Sequence, residues 1–443
     1  MSTQVDTLLH ARWVLPVDTA RSVLEHHSVA IHQGKIVAIL PTAQTESTYT
    51  GQTELHLANQ LLMPGLINSH GHAAMSLFRG LADDLPLMTW LQEHIWPAEA
   101  QWVSPDFVRD GTKLAIAEML LSGTTCFSDM YFFPDICAQV ASELKIRAQV
   151  CCPILDFPTP WAANAEEGIH KAIEVNSTFR HNPLIQIAFG PHAPYTVSDE
   201  PLKKIAVYQE ELQIPVQMHV HETAFEVAEA EKNTGLRPIA RLEQLGLLGP
   251  QFQAVHVTQV NAEDLALLSQ YQASVIHCPE SNLKLASGFC PVDQLQQAGI
   301  NVALGTDGAA SNNDLDLFGE LQTAAHLAKA VSGNAAAVPA YEAIAMATIN
   351  GAKALGIETI TGSLEVGKAA DIIALNFNTL ETLPVYQPVS QVAYTRMADK
   401  VSHVWVQGEH LVREGQLTQI DTEQLKLKAQ QWGEKIRAGK TDD

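Results

Sequence analysis

Between about residue 60 and residue 310 the chain repeats one pattern eight times, a short β-rich apolar run followed by a stretch with helical periodicity. Consecutive parallel strands need a crossover between them, and a helix is the usual one, so the repeat specifies a parallel sheet of βα units. The runs fall at 62–70, 124–130, 146–155, 184–191, 216–222, 254–259, 274–279 and 302–307. Apolar residues at a 3.6-residue period mark helices at 105–121, 135–144, 199–212 and 262–268. Ser104, Ser198 and Asn261 stand where three of these need a capping side chain. Eight such units in about 250 residues suggest a (β/α)8, TIM-like barrel, with a doubly wound open sheet as the alternative.

The two ends read differently. Residues 28–39 alternate in the manner of antiparallel strands about a turn at Gln33-Gly34. Near the other end, 371–375 and 401–406 lead through Gln407-Gly408 to a further strand at 410–413. Neither end has strands enough for a core of its own, so the two are expected to pair into one small β-sandwich beside the barrel. The expected division is 1–58 for the first part of the sandwich, 59–365 for the barrel, and 366–443 for the second part with a charged, solvated C-terminal helix at 422–438.

A formal net charge of −22 with no basic stripe to offset it argues against nucleic acid or an anionic membrane as a partner. A small or neutral molecule is the better expectation. No basic and apolar leader opens the chain and no 18 apolar residues run together, so a soluble, cytoplasmic protein is expected. The six cysteines (Cys126, Cys137, Cys151, Cys152, Cys278 and Cys290) form no CxxC pair and read as reduced core residues.

In a barrel of this type the active site forms at the C-terminal ends of the strands, and here those ends are rich in metal-ligating residue types. The first run leads into His70-Gly71-His72, the fourth to His192, the fifth carries His219, His221 and Glu222, the sixth carries His256, and the eighth ends in Asp307. Side chains two apart on a strand share a face, so His70 and His72 can grip one ion. Three imidazoles and one carboxylate from the first, fifth and eighth strands suit Zn²⁺ or Fe²⁺, either of which lowers the pKa of a bound water towards neutrality. His219 and His221 also share a face, and geometry alone leaves both open as ligands.

Four motifs in this order resemble the amidohydrolase superfamily: Met63-Pro64-Gly65-Leu66-Ile67 leading to the HxH, His219 with Glu222 three residues on, His256, and Gly305-Thr306-Asp307. Within it, the run 78–87, Trp96-Pro97-Ala98-Glu99, Gly190-Pro191-His192-Ala193-Pro194-Tyr195 and His277-Cys278-Pro279-Glu280-Ser281-Asn282-Leu283-Lys284-Leu285 are similar to those of the 5′-methylthioadenosine/S-adenosylhomocysteine deaminases. The resemblance implies that His70, His72, His219 and Asp307 hold one divalent metal, Zn²⁺ with Fe²⁺ as the alternative, and that Glu222 is the proton shuttle. It implies that His256 steadies the attacking water, that Asp307 takes its proton, and that Glu99 and His192 contact substrate together with Glu222. His221 is then left to support the fifth strand. Two-metal members bridge their ions with a lysine on the fourth strand, and 184–190 contains none, so a single ion is expected.

The implied reaction is hydrolytic deamination of the adenine ring of methylthioadenosine or S-adenosylhomocysteine, or of adenosine, releasing ammonia and the inosine analogue. An aminohydrolase acting on another purine, a pterin or a triazine is the alternative. A silent barrel kept for binding predicts eroded ligands, and none is missing. For the shuttle to be protonated at neutral pH its pKa must be raised, which a buried pocket can supply. Family habit implies a homo-oligomer. The stretch 79–99 is long for a βα connection and is expected to shape specificity, with Trp90, Trp96 and Trp102 as wall candidates and Ser311-Asn312-Asn313 on the same rim.

Overall fold

The computed structural model describes residues 2–439, so Met1 and residues 440–443, the outermost parts of the two flanking segments, lie outside the described residues. Four strands come first: β1 (Thr3–Val14), β2 (Leu24–His32), β3 (Lys35–Pro41) and β4 (Tyr49–Pro64). Eight follow with helices between them: β5 (Leu66–Asn68), β6 (Thr124–Met130), β7 (Arg147–Ile154), β8 (Ile185–Pro191), β9 (Val216–Val220), β10 (Phe252–His256), β11 (Ser274–His277) and β12 (Val302–Leu304). The last four are β13 (Ile372–Asn376), β14 (Val401–Val406), β15 (Glu409–Arg413) and β16 (Gln416–Leu417).

Strands β5 to β12 pair in sequence order and in parallel, the expected barrel. Its first and last strands meet just beyond their ends. The Ser69 N–H donates to the Leu304 carbonyl at 2.8 Å, the Asp307 N–H donates to the His70 carbonyl at 3.1 Å, and Gly71 bridges to Asp307. Gly305 makes this approach possible, since a Cβ there would stand 2.8 Å from the His70 backbone nitrogen and oxygen.

The expected first run at 62–70 is in fact two strands. Leu62 to Pro64 belong to β4, whose end pairs with β13, and the chain crosses into the barrel at Gly65. A side chain at that crossing would collide with Thr125, whose Oγ1 would lie 2.1 Å from a Cβ. β4 therefore carries the terminal sheet past residue 58.

The two chain ends join in one eight-stranded sheet, β16-β15-β14-β13-β4-β1-β2-β3, with β4 at the seam. Leu9, Val29, Ile31 and Ile36 from one wing share a buried cluster with Ile372, Ala374 and Trp405 from the other. Both expected hairpin turns form with left-handed backbone at each central residue, φ 51° and 76° at Gln33-Gly34 and 49° and 77° at Gln407-Gly408. Ser104 and Asn261 cap their helices through side-chain bonds to Phe107 and Asp264, whereas Ser198 takes the N-cap position without such a bond. The C-terminal helix Thr422–Gly439 is less solvated than its charge implies. Its Ile436 is buried in a cluster with Phe78 and Phe107, and the Trp432 indole N–H donates to Asp110 at 2.9 Å. All six cysteines are buried and free, and among the described residues no helix is long and apolar enough to cross a membrane.

One buried ion pair ties the barrel to the terminal sheet. Arg147, at the start of β7, donates through Nε to Asp371 Oδ2 at 3.0 Å, while Asp371 also accepts the Gln407 N–H at 2.7 Å. Removing one partner strands a buried charge, so Asp371→Ala is expected to destabilise the protein by about 3–5 kcal/mol. The check is the thermal or urea midpoint, which should fall clearly, with Asp371→Asn falling less.

Candidate active site

The chain leaves β5 at Asn68, so His70 and His72 stand beyond the strand, in the turn that bridges to Asp307. Their rings meet nearly edge-on, with centroids 4.9 Å apart and planes at 87°, which strand alternation alone does not produce. The turn is set from β6. The Asp129 carboxylate accepts the Ala73 N–H at 2.5 Å, and the Met130 carbonyl accepts from His72 Nδ1 at 2.6 Å.

His219, on β9, completes a group of three imidazoles whose ring nitrogens lie within 4.8 Å of one another. Asp307 Oδ1 stands 3.1 Å from His72 Nε2 and 3.5 Å from His70 Nε2. Each ring spends its other nitrogen as a donor: His70 Nδ1 to Gln217 Oε1 at 2.7 Å, His72 Nδ1 to Met130, and His219 Nδ1 to the His192 carbonyl at 2.8 Å. Burial and the neighbouring imidazoles hold His219 well below its ordinary pKa, and burial lowers His70 as well. The two Nε2 atoms of His70 and His219 thus face each other 3.1 Å apart with their protons on the far nitrogens. Facing lone pairs at that distance repel, and a cation between them removes the repulsion, so this donor set fits a divalent ion.

Burial alone would lower His72, but the Asp307 carboxylate overrides it and raises His72 to about 9. Burial likewise pushes Asp307 up, and its hydrogen bonds with His70 and His72 more than offset that, holding it well below the usual carboxylate range. Hydroxyls support its other oxygen, with Ser281 donating to Oδ2 at 2.7 Å and Ser311 at 3.1 Å.

His221 does not join the group, although strand alternation places it on the His219 face. β9 ends at Val220, and His221 takes a left-handed φ of 54° that swings its ring away. Its Nδ1 donates to the Gln259 carbonyl at 2.7 Å and its Nε2 accepts the Ile239 N–H at 3.2 Å, which occupies both nitrogens. The Glu226 carboxylate fixes this bend by accepting the N–H groups of His221 and Glu222 at 2.9 and 2.8 Å.

The bend sends Glu222 back towards the barrel mouth. Burial first, then the Asp307 charge, pushes its carboxyl to about 8, against the Ser287 hydroxyl that donates to Oε1 at 3.2 Å. Its Oε2 lies 3.8 Å from His256 Nε2. His256 sits at a φ of 75° and donates through Nδ1 to Asn282 Oδ1 at 2.9 Å, which leaves Nε2 bare.

These groups floor a cavity of about 300 Å³ whose lining includes His72, His219, Glu222, His256 and Asp307, together with Glu99 and His192. Trp90 and Trp96 line it as expected and Trp102 does not. The stretch from Leu87 is helical with one π-turn at Trp90–Ile95, which brings Trp90, Leu91, Ile95 and Glu99 onto the cavity side. Burial raises Glu99 to about 7, and the nearby Tyr131 hydroxyl opposes this without reaching hydrogen-bond geometry. Burial and the neighbouring imidazoles lower His192 to about 4. Ser311 reaches Asp307 and so serves the floor more than the rim. Gln217, Met130 and Ser287 carry no motif of their own, Asn282 lies in the 277–285 run without a readable role, and Glu226 reads as an ordinary helix carboxylate, so the supporting part each plays is visible only in the fold.

The contrast between the two histidines of the fifth strand is measurable. His219→Ala should lose most bound metal, read by elemental analysis after exhaustive dialysis. His221→Ala should keep the metal and lower the thermal midpoint, since it leaves the Ile239 N–H buried without a partner and the Gln259 carbonyl with Arg237 alone.

The comparisons agree with this architecture. The amidohydrolase family model matches residues 61–411. A 5-methylthioadenosine/S-adenosylhomocysteine deaminase of Saccharophagus degradans is 56% identical, covering 98% of each chain, and one of Teredinibacter turnerae is 55% identical, covering 99% of each. The crystal structure of an adenosine deaminase from Xanthomonas campestris with bound zinc superposes with a TM-score of 0.98 at 46% identity, over 99% of this chain and 100% of that one. Barrel, motifs and relatives together show that the chain belongs to the amidohydrolase family.

Proposed function

We propose that this protein is a metal-dependent deaminase of adenine nucleosides, with 5′-methylthioadenosine and S-adenosylhomocysteine as its substrates. The observation that carries the reading is the placement of a buried carboxyl, Glu222, beside four converging donors on the floor of one cavity. The names of the two bacterial relatives and of the zinc-bound crystal structure support it. A triazine-type activity has only fold-level support, since the triazine hydrolases that superpose are 22–23% identical.

His70, His72, His219 and Asp307 would hold a single zinc ion, with Fe²⁺ tolerated by the same donors. Bound there, the ion supplies Lewis acidity to a nucleophilic water. His256 Nε2, kept bare by Asn282, accepts a hydrogen bond from that water and sets its line of approach to C6. Asp307 takes one of its protons. As the C6–O bond forms, charge moves to N1, and Glu222 donates its proton there. The C6–N bond then breaks, ammonia leaves with the proton held by Asp307, and the remaining hydroxyl proton restores Glu222. Glu99 and His192, which line the same cavity, would bond the ribose hydroxyls. The wall beyond them is apolar, with Leu87, Leu91, Phe157 and Pro160, and among the described residues no Lys or Arg lines the cavity, so an unionised 5′-thioether is accommodated better there than a carboxylate tail.

The test is ammonia release from a panel of adenine nucleosides, other aminopurines, pterins and aminotriazines, with zinc content measured in the same sample. Methylthioadenosine is expected to turn over fastest. Inertness towards every adenine nucleoside would sink the proposal. Glu222→Gln should retain its zinc and lose about 10²–10⁴-fold in kcat/KM, as expected for a lost acid–base group.

The pH dependence has a definite sign. Glu222 must carry its proton to donate, and a pKa raised to about 8 keeps it protonated below that value and strips it above. The kcat/KM profile should therefore fall on its alkaline side with a midpoint near 8, a limb that Glu222→Gln abolishes.

A further inference from the structure

Gln217 lies two residues before His219 on β9, on the same inward face, and is fully buried beneath the donor group. Its Nε2 donates to the Ser69 carbonyl at 3.0 Å and to Gln253 Oε1 at 2.7 Å, with Ser128 Oγ at 3.2 Å. A backbone carbonyl can only accept, so Ser69 decides which end of the Gln217 amide is the NH2. The oxygen end is left 2.7 Å from His70 Nδ1 and can only accept in turn. The relay from Ser69 through Gln217 puts the His70 proton on Nδ1 and leaves Nε2 bare at the cluster.

In His72 and His219 the Nδ1 is held as a donor by the carbonyls of Met130 and His192. Those acceptors are backbone, present whatever side chains the two residues carry. Of the three imidazoles, His70 alone owes its tautomer to a side chain.

We infer that Gln217 is a positioning residue for metal capture, which presets His70 by locking its tautomer through the Ser69 carbonyl. The inference rests on reading the four donors as metal ligands. An imidazole with its proton on Nε2 must shift that proton before it can bind an ion, so a free tautomer equilibrium weakens capture. As a neutral amide, Gln217 sets the tautomer without adding a second anion beside Asp307.

The experiment uses metal-free full-length protein, zinc titration against a chromophoric chelator, and ring ¹⁵N spectra of histidine-labelled samples. Wild type should show His70 protonated on Nδ1. Gln217→Met keeps the volume and loses the acceptor, and its zinc Kd should weaken about 10–100-fold as His70 becomes a tautomer mixture. Gln217→Glu still offers His70 an oxygen but loses the donation to Ser69, so it should keep more of the His70 tautomer than Gln217→Met and weaken the zinc Kd less. Wild-type zinc affinity in Gln217→Met, or equal weakening in both variants with no tautomer change, would overturn the inference. So would a wild-type His70 protonated on Nε2, a result that needs no variant to fold. Failure of the ligand reading looks different, since zinc binding would then survive His219→Ala.

Discussion

Two hydrogen bonds, from the Ser69 N–H to Leu304 and from the Asp307 N–H to His70, hold the first and last barrel strands together at the mouth. They do two things at once. They close a sheet that would otherwise present two raw edges, and they bring the carboxylate of the eighth strand against the imidazoles that follow the first. Barrel closure and donor convergence are therefore one geometric event. Any side chain at 305 would separate the backbones and open both.

The floor of the cavity gathers polar groups in a buried place, and each is satisfied in a way that leaves one function free. Imidazole Nδ1 atoms are spent on carbonyl-type acceptors, and the second oxygen of Asp307 is spent on serine hydroxyls. Three of the residues here, His221, His256 and Asp307, sit at left-handed φ where the strands end. Non-glycine residues hold such backbone only where their surroundings force it, and strain of this kind clusters at functional sites. Glu226 and Asn282 show the forcing directly, one through the backbone at 221 and 222 and one through the His256 ring.

Residues of strong chemical type were readable from the chain, and those whose role comes from position were not. The barrel followed from eight βα repeats, and the terminal sheet from two hairpin signals, since both patterns are local. The break at Gly65 was hidden because Leu61 to Ile67 reads as one apolar run whichever sheet each residue serves. Alternation suggested that His70 and His72 converge, and they do so for a different reason, because both lie past the strand. It left His221 open because a left-handed residue is not visible in periodicity. Gln217 looked like an interior glutamine, and only its contact with Ser69 reveals the constraint it transmits.

β4 pairs along its length with β1, yet its other edge, from Gln60 to Pro64, is matched by Ile372 to Asn376. More than three hundred residues separate the two halves of that ladder, and the whole barrel is threaded between them. During synthesis from the N-terminus, the apolar edge at Leu61 to Met63 is made early and stays unpaired until β13 emerges. Such sequence-distant pairing slows folding and leaves a strand edge open to other chains in the interval. The seam that gives the finished molecule its compact terminal sheet is thus also the part of the nascent chain with the longest exposure to misassembly.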